Sequence, residues 1–155
     1  PYKFIFNDET CSQSEALLKG LELIDKEYDF IIVSRFDLKL RIPLSQIKYN
    51  RLKFNFLWYE VTQDKRIADC MFFFNNIFLE SFKDAVKNNP HKNSMHHILE
   101  NFKINEGDIH ILYPFYYDSN SDKESNPIYE INRGTLLDDL KKYKLLRYLP
   151  KKFMR

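Results

Sequence analysis

A charged pair, Arg35 and Asp37, directly follows the short apolar and β-branched run at residues 30–33. Such a run is typical of a strand that is covered on both faces. Open α/β sheets bind their ligands at the carboxyl ends of their strands, and this pair stands at that end. The pair is therefore either part of a ligand site or an ion pair that closes the end of a strand.

A second candidate for ligand contact is the start of a predicted helix at Ser12 and Gln13. Glu15 stands three residues after Ser12, at the capping-box position. Helix N-termini favour phosphate groups, so Ser12 and Gln13 are candidates for binding a phosphorylated ligand. Helix capping is the other interpretation of Ser12, and the two roles are compatible.

The composition excludes several classes of protein. The three glycines are too scattered for a P-loop or a dinucleotide fingerprint, and a net charge of +2 does not indicate nucleic-acid binding. The two cysteines lack metal-ligand spacing, which favours a reduced, cytoplasmic setting. No apolar run approaches the ~18 residues of a membrane span, and no signal peptide is visible.

The 155 residues, 44% of them hydrophobic, predict one domain with a substantial core. The first part of the chain is predicted to contain a strand at 2–6, a helix from Ser12 and a strand at 30–33. This order of strand, helix and strand indicates a parallel crossover. We therefore expect an α/β fold with a mixed, mostly parallel sheet flanked by helices. Further strands are predicted at 53–60, 67–74, 109–117 and 127–133, and further helices at 77–87, 95–102 and 135–149.

Three blocks of the chain share their order and spacing with one family of enzymes. They are the helix start at Ser12-Gln13, the segment YDFIIVSRFDL at 28–38, and the strand ADCMFFF at 68–74 with its following helix and a later NPIYEINR. The chain resembles bacterial and viral glycosyltransferases of the GT-A type over roughly residues 10–133. The resemblance implies transfer of a sugar from a nucleotide-diphosphate donor to a glycan or lipid-linked acceptor, as in polysaccharide biosynthesis. It also implies a nucleotide-binding region before Tyr2, so we expect a fragment or a shortened relative.

The resemblance gives Asp37 the position of the acid that holds a divalent metal, Mn²⁺ or Mg²⁺, on the donor diphosphate. Carboxylates suit both ions, and the metal would neutralise the leaving diphosphate as a Lewis acid. The family motif has two acids, Asp-x-Asp, whereas this chain has Arg35-Phe36-Asp37. Arg35 is therefore a candidate to contact the diphosphate itself, since arginine can do so through two hydrogen bonds.

The resemblance places Asp69 near the acceptor, where a carboxylate could act as general base. The alternative is a structural aspartate that bonds to the backbone at a strand end. His110 is a candidate metal ligand because GT-A enzymes often use a late histidine. His96 and His97 are adjacent in a predicted helix and should point in different directions, which makes them a poor metal pair.

The aromatic residues have a structural and a functional interpretation, as do the basic residues of the last helix. Trp58 and Tyr59 are predicted to fill the core, with stacking on a sugar ring as the alternative. Lys151, Lys152 and Arg155 indicate either a solvated helix face or peripheral contact with an anionic membrane.

Two other functions remain open. One is a non-catalytic carbohydrate- or protein-binding module that kept the fold and lost the second acid. The other is a nucleotidyltransferase, which would normally need two or three clustered acids. The binding module is distinguished from a transferase by whether Arg35, Asp37 and Asp69 face one open pocket.

Overall fold

The computed structural model describes residues 11–24, 28–35, 37–60, 66–114, 116–117 and 128–131. These residues form an α/β structure with two helices, α1 (Gln13–Glu22) and α2 (Leu79–Lys87). The predicted strand 2–6, the helix 135–149 and the basic residues 151–155 lie outside the described residues. The strands are β1 (Phe30–Ser34), β2 (Leu38–Leu40), β3 (Phe54–Phe56), β4 (Tyr59–Glu60), β5 (Met71–Asn75), β6 (Ile109–Ile111), β7 (Tyr116–Tyr117) and β8 (Tyr129–Ile131).

The main sheet has four strands in the order β1-β5-β3-β6. Strand β5 is antiparallel to both of its neighbours, β1 and β3, whereas β3 and β6 are parallel. Three strands therefore run in one direction and β5 alone runs against them. The predicted mixed sheet is confirmed, but two of its three neighbouring pairs are antiparallel, more than we expected. Two small sheets, an antiparallel β2-β8 and a parallel β4-β7, complete the pairing.

The core lies on both faces of β5. Phe72 and Phe74 belong to one hydrophobic cluster with α1 and α2, while Met71 and Phe73 belong to a second cluster with Trp58. Successive side chains of a strand point to opposite faces, so this apolar run fills both clusters at once. Trp58 is fully buried, and its ring stacks on that of Tyr129 with centroids 5.3 Å apart, a usual spacing for an aromatic pair. The predicted core role of Trp58 is confirmed, and its ring is not available to a sugar.

Helix α1 begins as predicted. The Ser12 amide donates to Glu15 Oε2 at 2.9 Å, and Ser12 Oγ accepts from the Glu15 amide at 3.3 Å. This reciprocal pair is a capping box, which satisfies two amide groups that the helix leaves free. The hydrogen bond from the Ser12 backbone, followed by that from its side chain, holds the pKa of Glu15 below its usual value.

Several predicted elements differ from the structure. The strand 53–60 divides into β3 and β4, and the strand 109–117 divides into β6 and β7. The helix predicted at 95–102 is wrong, because only the 3-10 turn Ile98–Glu100 forms there. The His96 carbonyl accepts the Ile67 amide at 3.0 Å, so the Glu100 amide bonds instead to His97 three residues back.

Strand β1 is not covered on both faces as predicted. Ile31 is 5% exposed and Ile32 is 42% exposed, so the strand buries alternate side chains. Within the described sheet, β1 is an edge strand. Neither helix of the described chain has the length and apolar character that crossing a bilayer requires.

Candidate functional site

A cavity of ≈ 820 Å³ lies between α1 and the C-terminal end of β1. Its apolar wall includes Leu17 of α1, Ile24 just after the end of that helix, and Val33 of β1. Four polar residues also line the cavity, and we call them the cavity cluster: Gln13, Arg35, Asp37 and Asp69. The structure thus brings together four of the residues that the sequence nominated.

Arg35 and Asp37 form a bidentate ion pair at the end of β1. Arg35 Nε donates to Asp37 Oδ1 at 2.9 Å, and Nη2 donates to Oδ2 at 2.6 Å. Both side chains are about one-third exposed, at 38% and 32%. The hydrogen bond to Asp37 raises the pKa of Arg35 above its usual value, so the guanidinium carries a permanent positive charge at the cavity.

The backbone of Arg35 is anchored to the chain that leads into β5. The Arg35 amide donates to the Cys70 carbonyl at 3.2 Å, directly beyond the paired residues Ser34 and Met71. Antiparallel pairing of β1 with β5 therefore brings the residues after β1 next to the residues before β5. This is why Arg35 and Asp69, far apart in the sequence, meet at one end of the sheet.

Asp69 is the buried acid of the cavity cluster, with only 5% of its side chain exposed. Gln13 Nε2 donates to Asp69 Oδ2 at 3.2 Å, and Arg35 Nη1 lies 3.9 Å from Oδ1. The Cys70 thiol also donates to Oδ1, at 3.5 Å. Within the described part of the chain, these contacts of the Asp69 carboxylate come from side chains and not from the backbone.

His96 completes the surroundings of Asp69 and was missed at the sequence level. Its Nδ1 lies 2.8 Å from the Ile67 carbonyl, and its Nε2 lies 3.6 Å from Asp69 Oδ2. A carbonyl only accepts hydrogen bonds, so Nδ1 carries the proton and Nε2 is the atom that faces Asp69. The two histidines do point in different directions, as predicted, because His97 contacts Glu100 instead.

Cys70 borders the cavity but is not suited to act as a nucleophile. Burial, followed by the charge of Asp69, raises the pKa of its thiol to about 12. Tyr129 donates its hydroxyl proton to Cys70 Sγ at 3.0 Å. The reactive form of cysteine is the thiolate, which this environment suppresses at neutral pH.

Two nominated residues lie elsewhere. Ser12 caps α1 and does not line the cavity. His110 belongs to β6, where its Nδ1 lies 2.9 Å from Asn55 Oδ1. Strands β1 and β6 occupy opposite edges of the described sheet, roughly 14 Å apart at the usual strand spacing. His110 and Asp37 are therefore too far apart in the structure to bind the same metal ion.

The cavity cluster does not form a ready site for a divalent metal. Both oxygens of Asp37 accept hydrogen bonds from Arg35, so the guanidinium stands where a cation would bind this carboxylate. Asp69 is already bonded to Gln13 and lies close to Arg35. An Mn²⁺ or Mg²⁺ ion could not bind both oxygens of Asp37 on the edge that Arg35 occupies without displacing the guanidinium.

Comparison of the chain with protein-family models, with curated proteins and with solved structures found no match in any of the three.

Proposed function

We propose that the protein transfers a sugar from a nucleotide-diphosphate donor to a hydroxyl of a glycan or lipid-linked acceptor, at the cavity cluster. The observation that carries the proposal is that Arg35, Asp37 and Asp69 line one cavity of ≈ 820 Å³. This volume is within the range of sites that bind small molecules.

Arg35 is assigned to the donor diphosphate. A guanidinium has five N–H donors, and Asp37 takes those on Nε and Nη2. Among the described residues, the remaining edge makes no hydrogen bond, although its Nη1 lies 3.9 Å from Asp69 Oδ1, and it can donate to phosphate oxygens. Asp37 then acts as the positioning residue, because its two hydrogen bonds fix the plane of the guanidinium before the donor arrives.

Asp69 is assigned as the general base. It takes the proton of the acceptor hydroxyl as the acceptor oxygen bonds to the anomeric carbon of the donor sugar. The bond between that carbon and the diphosphate oxygen breaks, and the electron pair leaves with the nucleoside diphosphate. The positive charge of Arg35 faces the charge that develops on this leaving group. Gln13 holds Asp69 in place through Oδ2.

The apolar wall of the cavity is assigned to the uncharged part of the donor. Leu17, Ile24 and Val33 give a surface on which a base or sugar face can pack. A GT-A-like arrangement of the whole domain is part of this proposal. What supports it is the α/β class and the mixed sheet, in which β3 and β6 are parallel.

The divalent metal implied by the resemblance stays a prediction. The described residues favour Arg35 as the cation that meets the diphosphate, because both oxygens of Asp37 are already bonded to it. We therefore expect donor binding to persist in EDTA. Donor binding that requires Mn²⁺ would instead support the metal and remove Arg35 from this role.

The test is a thermal-shift screen of UDP-, GDP-, TDP- and CMP-linked sugars, followed by calorimetry with the donor that binds. A ligand at about 100 times its dissociation constant should stabilise the fold by about 2.7 kcal/mol. We expect Arg35→Gln to abolish the shift and Arg51→Gln, an exposed arginine on a turn, to leave it unchanged.

Transfer is measured separately, as release of nucleoside diphosphate that depends on an added acceptor. Binding that is lost in Arg35→Gln, together with turnover that is lost in Asp69→Asn, would support the proposed transferase. Donor binding without turnover on any glycan or lipid-linked acceptor would favour the non-catalytic module. No binding of any donor by a protein that melts cooperatively would overturn the proposal.

A further inference from the structure

A second group of chemically capable side chains lies between α2 and β6, in a segment that the proposed transfer reaction does not use. It consists of His91, His97 and Glu100, which we call the histidine–glutamate cluster. One ligand atom from each residue lies within 4.8 Å of the other two. The rings of His91 and His97 stack with centroids 4.2 Å apart, and His97 Nδ1 lies 2.7 Å from Glu100 Oε1.

The local backbone explains why His97 and Glu100 share one side of the chain. The Glu100 amide bonds to the His97 carbonyl at 3.0 Å, at the start of the 3-10 turn Ile98–Glu100. In 3-10 geometry, side chains three residues apart lie above one another. Met95 and Ile98 are buried in the core, so this turn presents His97 and Glu100 on its other side.

His91 is held beside this turn by a buried asparagine. Asn89 is fully buried, and its Nδ2 donates to the His91 carbonyl at 3.1 Å and to the Ser94 carbonyl at 2.9 Å. Asn89 Oδ1 accepts from the His91 amide at 3.1 Å. The backbone on both sides of the cluster is therefore fixed by the core, which is what a metal site needs from its support.

We propose that the histidine–glutamate cluster binds a zinc ion. Two imidazole nitrogens and one carboxylate oxygen form a ligand set that Zn²⁺ uses in proteins, with water or a further ligand in the fourth position. This set is poorly suited to Mg²⁺ or Ca²⁺, which take oxygen ligands. His91 and Glu100 are exposed, so an ion can enter from solvent.

Zinc would stabilise the segment between α2 and β6, where the 3-10 turn Ile98–Glu100 forms instead of the predicted helix. Zinc would bind a lone pair of each neutral imidazole and a carboxylate oxygen of Glu100, and these contacts would replace the hydrogen bond between His97 and Glu100. Since His91 precedes the turn and Glu100 ends it, the ion closes a short loop of the chain. This site is independent of the proposed transferase activity.

The test is titration of the protein with ZnCl₂ alone, with affinity measured by competition against a chromophoric chelator. We expect one ion per chain, and Co²⁺ as a substitute should give the visible absorption of a four-coordinate site. His91→Gln and His97→Gln should each weaken zinc binding by roughly 100-fold or more, because they remove a direct ligand. Glu100→Gln should weaken it by roughly tenfold or more.

The matched controls are His110→Gln and Glu106→Gln, which remove the same side chains outside the cluster and should leave zinc affinity unchanged. Circular dichroism of each variant without metal establishes that it is folded, and Glu100→Gln changes only an exposed side chain. Zinc affinity that is the same in wild type, His91→Gln and Glu100→Gln would assign the ion to other residues and overturn the proposal. Absence of zinc binding at micromolar concentration would also overturn it.

Discussion

Two groups of polar residues lie at the main sheet, and they differ in how their hydrogen-bonding capacity is used. The first is the cavity cluster at the end of β1. The second is centred on Asn55 of β3, and with Asn50 and His110 we call it the Asn55 network. Asn55 Nδ2 lies within 2.9 Å of the carbonyls of Asn50, Lys53 and Phe73, and Oδ1 accepts from Asn50 and His110.

The Asn55 network is closed, because both ends of the amide are fully used by neighbours and Asn55 is 0% exposed. The cavity cluster is open, because it faces a cavity and one edge of Arg35 makes no hydrogen bond to the described residues. A closed network can only stabilise the fold, whereas an open cluster can bind something else. Variants in the two groups should therefore separate activity from stability.

The largest expected effect is on turnover, in Asp69→Asn. The substitution keeps the size of the side chain and an oxygen for Gln13, but it removes the base. We expect kcat to fall by about 10²–10⁴-fold, the usual contribution of a general base, while the donor dissociation constant changes little. Steady-state kinetics and calorimetry with the same donor measure both quantities. Unchanged kcat in the folded variant would show that Asp69 is not the base.

The next effect is the low reactivity of the Cys70 thiol. It tests whether the chemistry of the cavity belongs to the carboxylate of Asp69 and not to the neighbouring cysteine. With a pKa raised to about 12 by burial and by Asp69, the thiol has about 10³-fold less thiolate at pH 8 than an ordinary cysteine. In a Cys11→Ser background, alkylation by iodoacetamide should be slower by about that factor. Its rate should keep rising tenfold per pH unit above pH 9, while the fold persists. A rate that levels off near pH 8.5 would contradict the raised pKa.

The third effect is on stability, in Asn55→Asp. A carboxylate would face the carbonyl oxygens of Asn50, Lys53 and Phe73, to which the amide now donates. We expect a loss of about 3 kcal/mol or more in the free energy of unfolding, because one carboxylate oxygen would be buried against carbonyl oxygens with no donor to replace the lost amide hydrogens. Urea denaturation measures this loss. The fraction that remains folded should bind the donor with wild-type affinity. Weaker binding by the folded fraction would show that the Asn55 network contributes to the donor site.

The fourth effect is on donor affinity, in Arg35→Lys. Lysine keeps the charge but cannot donate two parallel hydrogen bonds to Asp37 and a third to phosphate. Losing a charge-assisted hydrogen bond costs about 1.5–3 kcal/mol, so the donor dissociation constant should rise roughly 10- to 100-fold. The ion pair with Asp37 is one-third exposed, so the free energy of unfolding should fall by about 1 kcal/mol at most. If Arg35→Lys lowered the free energy of unfolding more than it weakened donor binding, the ion pair would have only a structural role at the end of β1.

These contrasts also separate what the sequence could reveal from what it could not. The capping box of Ser12 and Glu15 is a local pattern and forms as predicted, and the apolar run 71–74 lies in a strand, which was also predicted. The Arg35–Asp37 pair is local as well. The contact of Gln13 with Asp69 joins residues 56 positions apart, and no spacing rule gives such a distance.

The remaining differences come from tertiary contacts. The helix predicted at 95–102 fails because the His96 carbonyl bonds to Ile67, which also turns the His96 ring toward Asp69. His110 was nominated by resemblance alone, and its place on the far edge strand depends on the strand order. In each case the deciding partner comes from another part of the chain, which a single sequence does not disclose.

The smallest expected effect distinguishes two neighbours, Ser12 and Gln13, that the sequence nominated together. Ser12 caps α1, whereas Gln13 reaches Asp69. We expect Ser12→Ala to lower the free energy of unfolding by about 1 kcal/mol, the usual cost of a lost N-cap, and to leave donor affinity and kcat unchanged. Gln13→Ala should lower kcat with little loss of stability, since it frees Asp69 from its fixed orientation. A clear loss of donor affinity in Ser12→Ala would contradict this distinction. It would mean that the N-terminus of α1 contacts the donor and that Ser12 belongs to the cavity cluster.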